Sequence, residues 1–276
     1  MLSKNNAAVS MTMLLIVMSL VACAYYIVTP FVRLARRMPL STLTPPVIYF
    51  CAIGMAFMLI EISQMQRLMV FLGHPVYGLG VVLFTILICS GIGSATVGAL
   101  APRPGAVSGR PVALLATLVL TGVLTPLVTT WTRSEATDVR ILVSALLLAP
   151  PAFCMGMMFP LGLNIWRRHT ELLPFFWSAN GITSMLASVL GMVLSIEFGI
   201  ANTYAIGVGF YVVSAAMLII GRRANRTATA PTKVVSDRDP VRLGDGGLEP
   251  AAPSIQATEA ELLRGTNAPA ALEQAP

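Results

Sequence analysis

One carboxylate stands in the middle of a long apolar run. Residues 49–94 read YFCAIGMAFMLIEISQMQRLMVFLGHPVYGLGVVLFTILICSGIGS, and Glu61 has no other acidic residue near it. An ionised carboxylate at mid-bilayer depth costs several kcal/mol unless it is paired, hydrated or neutral. Gln64 and Arg67 follow at steps of three, which on a helix makes one slowly rotating stripe. Gln64 is therefore spaced to bridge a carboxylate on one side and a guanidinium on the other. Glu61 and Arg67 are about 9 Å apart along a helix axis, too far to pair directly. Two chemistries fit this spacing. In one, Glu61 is a cation or proton site facing an aqueous cavity. In the other, Glu61, Gln64 and Arg67 form a polar clamp between helices and perform no chemistry. Gln66 points to another side, toward a neighbouring helix. Glu197, at the end of a later apolar run, is either a cross-bundle partner for Arg67 or a headgroup-level residue.

A second polar cluster combines Pro160 and Asn164 with Asn180, which lies in the stretch Trp177-Ser178-Ala179-Asn180-Gly181. Proline inside a helix removes one backbone donor and frees a carbonyl. Asn164 and Asn180 are placed to bond across such a gap, in the way that broken helices build carrier sites. The other reading is ordinary packing of a kinked helix. Gly73-His74-Pro75 reads as a tight turn; His74 titrates near neutrality in principle, but without a partner in sequence it serves the turn. His169 reads as loop. Cys23, Cys51, Cys89 and Cys154 each lie in apolar sequence with no CxxC or Cys/His grouping, so they are buried thiols and no metal site is expected. Small residues at Gly91 and Gly93, Ser184 and Ser188, and Ala187 and Gly191 are spaced for close helix approach. No nucleophile–base pair, phosphate loop or nucleotide fingerprint is present, so no cofactor is expected.

The elements that carry these residues follow from composition. Of 276 residues, 56% are hydrophobic and 11% charged, and the mean hydropathy is +0.78. An ordinary soluble domain has about 25% charged residues. The solvent of most of this chain is therefore lipid, which excludes a free soluble enzyme and a secreted disulfide scaffold. Apolar runs long enough to span occur at about residues 11–32, 46–72, 76–99, 111–131, 141–166, 175–199 and 201–221. With the N-terminus outside, ten basic residues (Arg33, Arg36, Arg37, Arg103, Arg110, Arg167, Arg168, Arg222, Arg223 and Arg226) fall on the cytoplasmic side, and three (Lys4, Arg133 and Arg140) fall outside. This is the positive-inside bias, and it explains the basic balance of the chain without nucleic acid. Lys4 and the run ending at Cys23 also resemble a lipoprotein signal. Apolar sequence continuing through Phe31, and the arginines that cleavage would leave outside, favour a first span instead.

The organisation expected is a short extracytoplasmic segment at 1–10, a first span with a basic loop at 11–45, a six-helix membrane domain at 46–221, and a disordered cytoplasmic tail at 222–276. The tail is rich in Ala, Pro, Thr and mixed charge and lacks the apolar content to fold alone. Within it, Ala257–Arg264 has only the makings of a transient helix.

Residues 49–94 resemble the membrane portion of the spermidine-synthase-like multi-pass proteins, which combine a major-facilitator-like membrane region with a spermidine synthase domain. The resemblance runs through Phe57-Met58-Leu59-Ile60-Glu61-Ile62, Gln66-Arg67, Phe71-Leu72-Gly73-His74-Pro75, Tyr77 and Ser90-Gly91-Ile92-Gly93-Ser94, and resumes more loosely at 156–162 and 177–191. It implies a helical membrane domain over roughly residues 46–221. In such proteins the synthase domain precedes the helices. Ten residues precede the first span here, so the resemblance implies the membrane portion alone, and none of the synthase domain's catalytic residues has a matching position.

The fold expected is an all-α integral membrane protein of about seven spans: one N-terminal helix plus six that form two three-helix units (46–131 and 141–221), like half of a major-facilitator carrier. The function expected is transport or binding of a small cation of the polyamine kind, with Glu61 as anchor. The alternative is a non-enzymatic anchor for a separate, soluble synthase-like chain. The lipid bilayer is the first partner, with either a second copy or that soluble chain as the next. The cell (inner) membrane is the expected location.

Overall fold

A computed structural model describes residues 2–36, 39–99, 106–167 and 170–227. Among these residues there are seven α-helices and no strand: α1 (Leu2–Ala35), α2 (Leu40–Leu72), α3 (Pro75–Ala99), α4 (Ala106–Trp131), α5 (Thr137–Ile165), α6 (Leu173–Glu197) and α7 (Ile200–Thr227). A single 3₁₀ turn, Thr170–Leu172, leads into α6. All seven helices are long and apolar enough to cross a bilayer. The chain is an all-α, multi-pass membrane protein. Lipid offers no partner to a backbone N–H or C=O, so each run closes its own hydrogen bonds as a helix. Most Ser and Thr hydroxyls follow the same rule and bond back to carbonyls three or four residues earlier, as Thr125 does to Thr121 (2.6 Å) and Ser214 to Tyr211 (2.8 Å).

Several boundaries differ from the hydropathy reading: α1 already begins at Leu2, inside the segment expected as a short N-terminus at 1–10, and α4 and α5 begin at Ala106 and Thr137, ahead of the expected 111 and 141. α2 starts at Leu40, ahead of Pro45 and Pro46, and the Thr44 hydroxyl donates to Leu40 O at 2.7 Å in this first turn. α7 runs on to Thr227, into the stretch expected as tail, because no Gly or Pro after Gly221 stops it. The rest of the expected tail, including Ala257–Arg264, lies outside the described residues, as does His169.

Burial separates hub from periphery. In the spanning window of α2, 61% of residues are buried, against 6% for α1, which lies mainly along α6. Exposed on the outside are side chains such as Leu15, Phe84, Leu120 and Ile219. In water such a belt is an association hazard; in lipid it is the solvated surface. The two three-helix units do not pack as separate bundles. α2 packs on α6 and α7 of the second unit, and α5 packs on α3 and α4 of the first. The helices interleave because small residues let their backbones meet. A methyl group added at Gly93 would run into the backbone of Phe153, and one at Gly156 into the backbone of Ser90. These two glycines bring α3 and α5 together. Gly191 likewise admits Leu59 and Ile62 of α2 onto α6. Ser188 and Gly91 take no part: the Ser188 hydroxyl bonds within α6, and Gly91 has open space above it.

The main core is aromatic. Phe50 stacks on Phe176 with ring centres 4.8 Å apart, Tyr49 tilts against Trp166 at 5.2 Å, and Leu118, Tyr204 and Tyr211 close the far side. A smaller apolar cluster, with Leu68, Phe71, Val82 and Leu148, fills the end where short turns join α2 to α3, α4 to α5 and α6 to α7.

Candidate functional site

The Gly73-His74-Pro75 turn forms as its residue types require. Gly73 ends α2 in the left-handed region (φ 74°), where a Cβ is strained, and its N–H donates to Met69 O at 3.2 Å. Pro75 opens α3, where its missing N–H costs nothing. His74 is exposed beside the Tyr77 ring, at 5.4 Å between centres, and touches no charged group.

The stripe on α2 does not act as a unit. Gln64 is 1% exposed and points into the bundle, and neither of its carboxamide atoms has a hydrogen-bond partner. Its nearest polar neighbour is the Tyr204 hydroxyl, close enough to interact but short of a well-formed hydrogen bond, because that hydroxyl donates to Leu118 O at 2.7 Å. Gln64, Tyr204 and Thr121 border a small cavity of about 10 Å³, close to the least space a single water occupies. Gln66 has its buried Oε1 equally unpartnered. The bridge from Glu61 through Gln64 to Arg67 is thus not formed. Each step of three turns a helix by about 60°, so three side chains on such a stripe reach different neighbours. Arg67 lies over the Tyr204 ring, 5.3 Å from its centre, at the end of the bundle that carries the short turns. Glu197 is exposed and makes no pair with it.

Glu61 is half-buried, and among the described residues it makes no hydrogen bond and no ion pair. It lies one helical turn beyond Phe57 and Met58, which line a cleft of about 440 Å³ between α2, α3, α5, α6 and α7. Glu61 itself is not part of the lining. The polar groups that are include Ser90, Ser94, Asn180, Ser184 and Tyr211. Ser90 and Ser184 are satisfied by backbone carbonyls, Leu87 O at 3.3 Å and Gly54 O at 3.2 Å. The carboxamide of Asn180, packed against Gly54, and the hydroxyl of Tyr211 make no hydrogen bond among the described residues. Tyr211 is almost fully buried and is a cavity-lining hydroxyl within electrostatic reach of Glu61.

The second expected pair is not brought together. Asn164 is exposed at the end of α5, while Asn180 lines the cavity. α5 passes through Pro150, Pro151 and Pro160 as one continuous helix, so no broken-helix gap opens between the two asparagines. The order of the chain near Pro160 is kept by another contact: Tyr49 donates its hydroxyl to Met158 O at 2.6 Å, in the buried core. Among the described residues no three His, Cys, Asp or Glu side chains group to hold a metal. Tyr204, Tyr211, Ser90 and Ser94 were not singled out by spacing. Their signal in sequence is only that of hydroxyls inside spans, which most often bond within their own helix.

Comparison of the chain with protein-family models, with curated proteins and with solved structures gives no match.

Proposed function

We propose that this protein is a membrane-embedded binding or transport module for a small organic cation of the polyamine type. The observation that carries the reading is Glu61: a half-buried carboxylate at mid-span with no ion pair and no hydrogen bond among the described residues. A carboxylate left without a partner at that depth is costly alone, and an ammonium group offsets that cost while losing its own hydration. The cavity one turn away supplies the complementary surface. Phe57, Phe159 and Met155 offer apolar walls to a methylene chain, and the free oxygens of Asn180 and Tyr211 offer acceptors to N–H donors. The resemblance to the membrane portion of spermidine-synthase-like proteins points to the same substrate class.

In this reading the chain lies in the cell's inner membrane with its N-terminus outside, as the distribution of Lys and Arg favours. A single six-helix bundle has nothing to rock against, so alternating access takes a second copy of the chain or a partner bundle. The test is binding and uptake of radiolabelled spermidine by Glu61→Gln in reconstituted vesicles. Loss of both at unchanged expression and unfolding midpoint is expected. Uptake at the parental rate by Glu61→Gln ends the proposal.

A further inference from the structure

We infer that the end of the bundle bearing the short turns holds a binding site for a phosphate-type oxyanion, built by Arg67, Arg133 and Arg140. These three side chains come from α2, from the turn after α4 and from α5, and all border one pocket of about 410 Å³. Three formal positive charges share it. Among the described residues none of them makes an ion pair; Glu135, exposed in the same connection, Asp138, exposed in the first turn of α5, and Glu197 leave them unneutralised.

Two of the three guanidiniums are held over aromatic rings and none is spent on a carboxylate. Arg140 lies over the Phe71 ring at 4.8 Å and Arg67 over the Tyr204 ring at 5.3 Å. The Nε of Arg140 is buried and has no hydrogen-bond partner. The two pocket hydroxyls offer no donor, because Thr129 donates to Thr125 O (2.8 Å) and Thr130 to Pro126 O (2.5 Å). The donors facing this pocket are therefore cationic forks, which match the paired oxygens of a phosphate. Arg133 and Arg140 are also two of the three basic residues that run against the charge bias of the chain. Topology alone gives no reason for them to lie here.

A second, mainly apolar pocket of about 570 Å³ shares Arg67, Val70 and Thr129 with the first and continues between α4 and the start of α7 along Pro126 and Ile200. A basic head joined to an apolar groove suits an anionic lipid, with its phosphate among the arginines and a chain along Pro126. Free phosphate satisfies the same arginines without using the groove. Glu61 takes no part in either pocket, so the site stands or falls apart from the cation reading.

The experiment measures unfolding midpoints of the full chain in uncharged detergent. One arm adds phosphatidylglycerol against phosphatidylcholine. A second adds inorganic phosphate against chloride at equal ionic strength. The expected result is stabilisation by phosphatidylglycerol, with apparent affinity reduced roughly tenfold or more in Arg133→Gln and in Arg140→Gln and unchanged in Arg110→Gln at the other end of α4. Stabilisation by phosphate with the same dependence on the arginines also supports the site and assigns it to the free anion. Arg133 is exposed, so its variant keeps the test valid if Arg140→Gln fails to fold. No response beyond the two controls, or equal responses from parent and Arg133→Gln, overturns the proposal.

Discussion

Replacing Gln64 by Met is expected to stabilise the protein. The side chain is 1% exposed, and neither Nε2 nor Oε1 reaches a well-formed hydrogen bond, the Tyr204 hydroxyl being their nearest polar neighbour, so folding buries two poorly satisfied polar atoms. Each such atom costs about 1–3 kcal/mol. In a bilayer the unfolded reference also finds partners, which pulls the figure to the low end of that range. Two atoms at about 1 kcal/mol each give a gain of about 2 kcal/mol, a factor of roughly 30 in the folding equilibrium. Met is close to Gln in length and volume and is unbranched, so the swap brings no cavity term of its own. The adjoining space of about 10 Å³ admits one water at most. A water held there reduces the gain but does not reverse it, since Met releases the water together with the polar atoms. The assay is reversible unfolding in mixed micelles of rising SDS fraction, reading the midpoint for parent and Gln64→Met. Destabilisation of about 1 kcal/mol or more by Gln64→Met would show that the carboxamide has a partner in the folded protein and would refute this reasoning.

Two further outcomes are expected. Gly156→Ala sets a methyl group against the backbone of Ser90, which cannot rotate away, so α3 and α5 must separate. A loss of about 1–3 kcal/mol is expected in the same unfolding assay, with Gly80→Ala, where the added methyl meets open space, as the control that stays near parental stability. A cysteine at His74, an exposed residue of the α2–α3 turn, is expected to react with a membrane-impermeant maleimide in intact cells above the level of the parent chain. Labelling only after the cells are opened would invert the topology.

The helices were readable from hydropathy because lipid leaves the backbone one option. A run of some twenty apolar residues must close its own hydrogen bonds, and each of the seven runs does so. The turn at Gly73, His74 and Pro75 was equally readable, since a left-handed residue and a missing N–H fit few places other than a helix end and a helix start. Helix lengths at the margins were less so. The apolar run beginning at about residue 46 left out the start of α2, which begins at Leu40, and α7 extends beyond its apolar stretch to Thr227.

Sequence by itself also identified Glu61 as an expensive residue, because the cost of a charge in hydrocarbon depends on depth and not on fold. It did not determine what surrounds Glu61, Gln64 and Arg67. Spacing of three places residues on one side of a helix only loosely, and the drift of about 60° per step sends each to a different neighbour. Only the packing of α2 among its neighbouring helices decided that Gln64 is enclosed, that Arg67 meets Tyr204, and that Glu61 is left beside the cavity. The gathering of Arg67, Arg133 and Arg140 has the same origin: residues up to 73 positions apart share a pocket because the glycines of α3 and α5 let the helices interleave, and no periodicity along the chain records that.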